Sequence, residues 1–460
     1  MKKLKKFTKS LLCLALSVML ALSFVGCDVS GFIADLSEGL ESMFPMDTDT
    51  DANTNTDGNG DTDSNTESDT ESSTDTNTDT DTDTSTDSST DTNTDTDTDT
   101  STDSDTDTDT DTSTDSDTDT GDNSGDNSGD TSGGEVITTD ALSIHFLELG
   151  NQYTGDCTLI DIGDTEILVD AGSRKNSATT IKAYVDKYCQ DGILEYVIAT
   201  HADQDHIAAF VGNSGTPLRT GILYQYQVGT LIQFARTGKD TQIYKDYCTA
   251  VEYAKSKGTA VYTALDCWKN EKGAKRTYQL GDNISMQILY QEFYEKSTSD
   301  ENDYSVCFLL TQGENNYLFT GDLEKDGEAS LVASNTLPKC KLYKGGHHGS
   351  KTSSTSALLS VIQPEIVCVC CCAGSSEYTS AKENQFPTQA FIDRVAPYTD
   401  KVYVTTMISS DGNSGVSMNG NIVVSCPDGK NVTVTGSKNS TILKNTDWFK
   451  ANRTMPAAWK

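Results

Sequence analysis

Beyond residue 140 the spacing of apolar positions predicts short strands broken by turns. Residues 143–149, 157–162 and 166–169 alternate or run apolar, with turns at Gly150 and Gly163, the pattern of a strand meander. A helix is predicted over 177–188. The apolar run Tyr196-Val197-Ile198-Ala199 reads as a buried strand ending at Thr200. Strands resume at 306–310 and 317–319, and a short one spans 341–343. Residues 366–372 form one more buried strand, in which Cys368, Cys370, Cys371 and Cys372 count as small hydrophobes. Residues 421–424 and 431–434 predict a closing hairpin, whereas 207–290 mixes helix and strand without an interpretable motif. Strands separated by helices, with polar residues at their C-terminal ends, predict an α/β fold of two sheets sandwiched between helices.

The first 135 residues carry other patterns. Lys2, Lys3, Lys5, Lys6 and Lys9 precede an apolar stretch over 11–25 that closes in Phe24-Val25-Gly26-Cys27. This is an export signal, and a small residue before the cysteine resembles the lipobox of bacterial lipoproteins, with Phe24 where leucine is preferred. That resemblance implies cleavage before Cys27 and a lipid on its sulfur; an ordinary cleaved signal or an uncleaved anchor are the alternatives. Over 28–46, Phe32, Ile33, Leu36, Leu40, Met43 and Phe44 recur at helical spacing, as in a short amphipathic helix on a membrane surface. Residues 47–135 are Asp-Thr and Asp-Ser repeats with almost nothing to bury, so they predict a disordered, extended linker. Coil scaling gives such a linker a span of roughly 50 Å, lengthened by charge repulsion. The expected organisation is signal (1–27), membrane-proximal segment (28–46), linker (47–135) and folded domain (136–460), an extracytoplasmic lipoprotein reaching into a cell wall.

Charge follows the same division. The formal net charge is −36, yet residues 47–140 hold 31 acidic and no basic residues, and residues 141–460 hold 35 acidic against 29 basic, a net near −6. The folded part is only mildly acidic, and no strongly basic face for nucleic acid is visible in composition.

The chain has five histidines, and two of them bracket Thr200-His201-Ala202-Asp203-Gln204-Asp205-His206. Imidazole nitrogens and carboxylate oxygens on a tight loop after a buried strand suit zinc or manganese; the bland alternative is a polar loop capping a helix that begins near Ile207. Further candidates end other strands: Asp170, Asp322 after Gly321, and His347-His348-Gly349-Ser350 after Lys344. A cysteine metal cluster at 368–372 is disfavoured because strand neighbours point to opposite faces.

Together these motifs resemble the metallo-β-lactamase fold superfamily, and within it the hydrolase domain of ComEC-type competence proteins. The resemblance covers about 141–410. It rests on the Asp at the second ligand position (Asp203), on Asn302-Asp303-Tyr304-Ser305 followed by Gly321-Asp322, on His347 to Ser350, and on Phe146-Leu147-Glu148-Leu149-Gly150 followed by Gly155-Asp156. It implies an αββα sandwich holding one or two divalent ions (Zn or Mn). His201 and Asp203 hold one ion, Asp205, His206 and one of the histidine pair, preferably His348, hold the other, and Asp322 bridges. Asp156 and Asp170 then orient ligands. His347 contacts a ligand or the substrate, and Asp205, His347 and Lys344 are the expected catalytic residues. Lys344, Ser350, Lys351, Ser353 and Asn302 are the expected phosphate contacts.

Three departures matter. The usual third histidine for the first metal is missing, with Asn302 near its place, which implies a weak or empty first site. The later His-Pro element appears as Asn384-Gln385-Phe386-Pro387. No apolar run after Cys27 approaches the ~20 residues that span a bilayer, which argues against DNA import by this chain alone. The expected function is hydrolysis of a phosphodiester, in nucleic acid or a cell-wall polymer, by metal-activated water. An ester or lactone hydrolase, and a binding lipoprotein with a structural metal, are the alternatives. Substrate and membrane are the implied partners; no protein partner is legible.

Overall fold

The computed structural model describes residues 139–213 and 219–460. Cys27, the signal, the 28–46 segment, the acidic linker and the start of the domain at Val136 lie outside the described residues. Six strands open the first sheet: β1 (Leu142–Phe146), β2 (Thr158–Ile162), β3 (Thr165–Val169), β4 (Ile193–Ala199), β5 (Gln227–Gln233) and β6 (Ala260–Thr263). The next eight make the second sheet: β7 (Thr277–Gly281), β8 (Ile284–Ile288), β9 (Phe308–Gln312), β10 (Asn315–Phe319), β11 (Leu342–Lys344), β12 (Ile366–Ala373), β13 (Val402–Ile408) and β14 (Gly415–Ser417). The last two, β15 (Ile422–Cys426) and β16 (Thr433–Gly436), return to the first sheet as the expected hairpin.

The first sheet runs β16-β15-β1-β2-β3-β4-β5-β6 and the second β14-β13-β12-β11-β10-β9-β8-β7. Pairing is parallel from β3 to β6 and from β10 to β13, and antiparallel elsewhere. Parallel strands need crossover connections. These are supplied by α1 (Ser177–Val185), α2 (Gln204–Val211), α3 (Ile222–Gln225) and α4 (Gln242–Ser256) in the first sheet; α5 (Ala264–Lys269) precedes β7. The second sheet uses α6 (Lys325–Ser334), α7 (Ser356–Ile362) and α8 (Gln389–Val395).

The core explains the layering. Phe146 of the first sheet stacks towards Phe319 of the second, which stacks on Phe308 at 4.6 Å between centroids. In β12 the strand period of two divides the apolar run. Cys368 and Cys370 join the cluster shared by both sheets, while Val367, Val369 and Cys371 join Leu331, Leu358, Leu359, Phe391 and Ile392 under the helices. All described cysteines are free thiols, and this strand uses them as core. The fold is therefore the αββα sandwich expected from the strand pattern. The helix expected over 177–188 ends at Val185, and the one expected near Ile207 begins at Gln204. That earlier start puts Asp205 and His206 on the helix rather than before it. Among the described residues no helix is long and apolar enough to cross a membrane.

Candidate metal centre

The parallel strands of both sheets point their C-terminal ends at one place. From the first sheet come Asp170 after β3 and Thr200 to His206 after β4. From the second come Asp322 after β10 and the histidine pair after β11, while Asp156 stands between β1 and β2.

Asp170 organises the first loop. Its Oδ1 accepts the Thr200 N–H at 2.8 Å, and its Oδ2 accepts the Thr200 hydroxyl and His206 Nδ1, each at 2.8 Å. With Nδ1 donating, His206 turns Nε2 inward. Backbone closeness supports this arrangement. Asp156 N–H donates to the Asp205 carbonyl at 3.0 Å and Ala171 N–H to the His206 carbonyl at 2.7 Å. A Cβ on Gly172 would lie 1.5 Å from the Asp205 carbonyl oxygen, so only glycine fits there.

The second loop delivers its histidines differently. His347 and His348 both have left-handed backbone, with φ of 44° and 54°, which sends the two side chains apart. His348 is buried, and its Nδ1 donates to the Cys370 carbonyl at 2.9 Å. Its Nε2 stands 3.1 Å from Asp322 Oδ2, 3.2 Å from Asp205 Oδ2 and 3.4 Å from His206 Nε2. His206 Nε2 is itself 3.1 Å from Asp322 Oδ2. His347 faces the cleft wall instead, with Nδ1 3.0 Å from Glu324.

Asp156, His206, Asp322 and His348 each offer a ligand atom, all within 4.8 Å of one another and all buried. The chemistry of the cluster fits a cation. Burial opposes the charged form of Asp322, but His206 and His348 outweigh it and hold its carboxyl well below the usual range. Burial likewise opposes a charged His206, yet Asp322 and Asp170 push its pKa well up; for His348, Asp322 and Asp156 do the same. Asp205 is held low against its burial by the hydrogen bond to His348 and the charges of His206 and His348. A buried nest of carboxylates thus demands positive charge, which a divalent ion supplies once the imidazoles are neutral. His201 Nε2 and Asp322 Oδ1 are buried without a hydrogen-bond partner, as unmet ligand atoms are. Burial, with His206 beside it, keeps His201 in the neutral form that coordinates metals. His201 Nε2 lies 3.7 Å from Asp203 Oδ2. Ser305 of the Asn-x-x-Ser motif joins both halves: its hydroxyl accepts the Asp322 N–H at 3.1 Å and lies 3.5 Å from His201 Nδ1.

A cleft of about 610 Å³ opens on this centre, lined among others by Asp203, Asp205, Asn302, Asp322 and His347. Lys344 is not among its lining. The Lys344 ammonium is buried against Asp156 and 3.6 Å from Asp322, where those two carboxylates keep it charged against its burial. Ser350 pairs with Thr352 at 2.9 Å, Lys351 reaches Asn384 at 3.2 Å, and the Ser353 hydroxyl donates to the Gly346 carbonyl at 2.7 Å. The expected phosphate contacts other than Asn302 therefore point elsewhere. The cations that line the cleft are Arg174 and Lys239. Arg174 is held by Glu377 at 2.6 Å, and the Tyr378 hydroxyl donates to Asp205 Oδ2 at 2.5 Å. Sequence reasoning passed over all four. Their only signal was position: Arg174 follows β3, Lys239 follows β5, and Glu377-Tyr378 follow β12, at the same ends of parallel strands where the ligands lie.

Residues 150–212 match the family model described as the metallo-beta-lactamase superfamily. Together with the sandwich and its buried His/Asp centre, this match makes the domain similar to the metallo-β-lactamase superfamily, a hydrolase fold whose buried cluster suits divalent metal. Within that class the chain is homologous to competence and recombination proteins. Recombination protein 2 of Haemophilus influenzae is 28% identical over 255 residues, 55% of this chain and 26% of the relative. Competence protein ComA of Neisseria gonorrhoeae is 33% identical over 129 residues, 27% of this chain and 17% of the relative. The chain thus spans about a quarter or less of the length of these relatives. Among solved structures, the metallo-beta-lactamase fold protein YhfI from Bacillus subtilis covers 62% of this chain and 100% of its own, at 11% identity and a TM-score of 0.34.

Proposed function

We propose that this domain hydrolyses phosphodiester bonds with a divalent ion, zinc or manganese, held by the buried cluster, and that nucleic acid is its substrate. The observation that carries the reading is the juxtaposition of the Asp156, His206, Asp322 and His348 cluster with a cleft whose lining includes two cations, Arg174 and Lys239. A bound ion supplies Lewis acidity and a nucleophilic water at neutral pH. The chain does the rest. His206, His348 and Asp322 of that cluster would hold the ion together with Asp205, whose Oδ2 lies 3.2 Å from His348 Nε2. Asp156 stands on the Nδ1 side of both imidazoles, and Asp170 and the Cys370 carbonyl fix which imidazole nitrogen would face the ion. His201 and Asp203 complete the wall beside it. Arg174 and Lys239, each paired with a carboxylate of the cleft wall, Glu377 and Asp203, are the guanidinium and ammonium donors a phosphate would meet there. His347 offers an imidazole to the leaving oxygen. Lys344 acts from behind, keeping Asp156 and Asp322 charged.

The names of the relatives, recombination and competence, favour nucleic acid. The basic and apolar N-terminal pattern ending at Cys27 supports a lipid-anchored location outside the cytoplasm, where a cell-wall phosphodiester is the competing substrate. Labelled single-stranded DNA incubated with the purified chain and manganese tests the reading, with the Asp205→Ala variant alongside. Cleavage that disappears in the variant is the expected result. DNA left intact by the native chain rejects the nucleic-acid assignment, and equal cleavage by both proteins rejects the centre.

A further inference from the structure

Asp203 already has a cation, and the chain supplies it. The Lys239 ammonium lies directly on Asp203 Oδ1. Its place is built. The carboxylate of Glu301, itself mostly buried, accepts the Thr237 hydroxyl at 2.5 Å and the Gly238 N–H at 2.8 Å, and Thr237 Oγ1 accepts the Lys239 N–H at 2.9 Å. Glu301 directly precedes Asn302, where a third ligand for a first metal was sought. In place of a ligand, this segment delivers a carboxylate that fastens the lysine-bearing loop.

Counting charge separates the two halves of the centre. Around His206 and His348 stand four carboxylates, Asp156, Asp170, Asp205 and Asp322, opposed by the one ammonium of Lys344. That excess of carboxylates is what a divalent ion would offset once both imidazoles are neutral. Beside His201, Asp203 is already engaged by the ammonium of Lys239, whose loop is fastened by Glu301. A second ion bound by His201 and Asp203 would share that carboxylate with an ammonium a few ångströms away, and like charges so close repel strongly in a half-buried site. His201 Nε2 and Asp322 Oδ1 would meet there a carboxylate that the ammonium already holds, which makes a poor site for a second ion.

We propose that the centre holds a single divalent ion, at His206, His348, Asp322 and Asp205, and that Lys239 replaces the second ion. The ammonium balances Asp203 and lines the cleft where an anionic substrate lies. The inference rests on the reading of this cluster as a metal centre, and deepens it.

The test is metal stoichiometry. The purified chain is titrated calorimetrically with manganese, and metal content is measured after dialysis; calcium in excess is included to compete for the carboxylates of the acidic repeats over 47–135. One tight equivalent is expected for the native chain and for Lys239→Arg, which keeps the charge. Lys239→Met keeps the length and removes the charge, so it should gain a second equivalent, bound at least tenfold more tightly than any second ion in the native chain. Thermal melting of the metal-free proteins, expected to agree for all three, confirms that the variants are folded. Two equivalents of similar affinity in the native chain overturn this inference while leaving the metal centre standing, and so does a Lys239→Met protein that still binds only one. No bound equivalent at all overturns the centre and this inference with it.

Discussion

The two loops that bring histidines to the centre solve one problem in opposite ways. After β4 the chain passes straight into α2, and Asp205 and His206 ride on the first turn of a regular helix. One buried carboxylate, Asp170, sets the imidazole. After β11 the chain takes two successive left-handed residues, His347 and His348, each costing about 1–3 kcal/mol of backbone strain for a non-glycine residue. That conformation is held from outside. The Gly346 N–H donates to the hydroxyls of Tyr343 and Ser354 at 3.1 and 3.2 Å. Glu328 of α6 accepts the N–H groups of Ser354 and Thr355 at 2.5 and 2.7 Å. Arg394 of α8 donates to the carbonyls of Ser353 and Ser354 at 2.6 and 2.9 Å. The first loop gets its precision from secondary structure, the second from a polar scaffold made by neighbouring helices.

The sharpest way to break that contrast is to remove the ion pair where the two loops meet. Lys344→Ala leaves Asp156 buried beside Asp322 without its cation, and stripping one partner from a buried pair costs about 3–5 kcal/mol. Urea denaturation of the metal-free protein measures it; a loss under 1 kcal/mol would show that the pair is not desolvated.

Next comes the scaffold of the second loop. Burial pushes the Glu328 carboxyl up to about 7, against the hydrogen bonds from Thr355 and Ser354 that favour its charged form. An acid whose folded pKa is raised stabilises most when protonated in both states. Stability from this residue is therefore full below about 4.5, its unfolded value, and is lost as pH rises towards 7, by up to ~3 kcal/mol. Glu328→Gln should remove that slope. Identical pH profiles for native and variant proteins between pH 4.5 and 7 would separate Glu328 from the effect.

The smallest expected effect belongs to the first loop. Asp170→Asn keeps the shape but weakens the bond that fixes the His206 tautomer, and such outer partners are worth about 10–100-fold in metal affinity. Manganese titration reads this directly. A change below threefold would mean that helix geometry alone aims the imidazole.

The same contrast explains what could be read from the chain. The first loop was legible because strand, ligand spacing and helix are all local, so the motif from His201 to His206 carries its own geometry. Asp322 and the histidine pair were legible as residue types at strand ends, but which histidine turns inward depends on φ angles fixed by Glu328, Tyr343 and Arg394. Lys344 was read as a cleft cation because it neighbours the histidines; its burial depends on Asp156, which comes from a distant part of the chain. Lys239, Arg174 and Tyr378 belong to loops with no chemical pattern, and only the strand order of the folded sheets assembles them.

The return of β15 and β16 to the first sheet has a consequence for how the domain is made. β1 is paired on one side with β2 and on the other with β15, Leu142 opposite Cys426. Until the final quarter of the domain has been delivered, one edge of β1 has no partner, and an open edge is a template for pairing with other chains. Closing it also requires a contact between opposite ends of the domain, the kind of long-range pairing that slows folding. The carboxylate nest proposed to hold the ion lies between sheets that are finished only at that last step, so metal loading there and escape from aggregation would depend on the same late event.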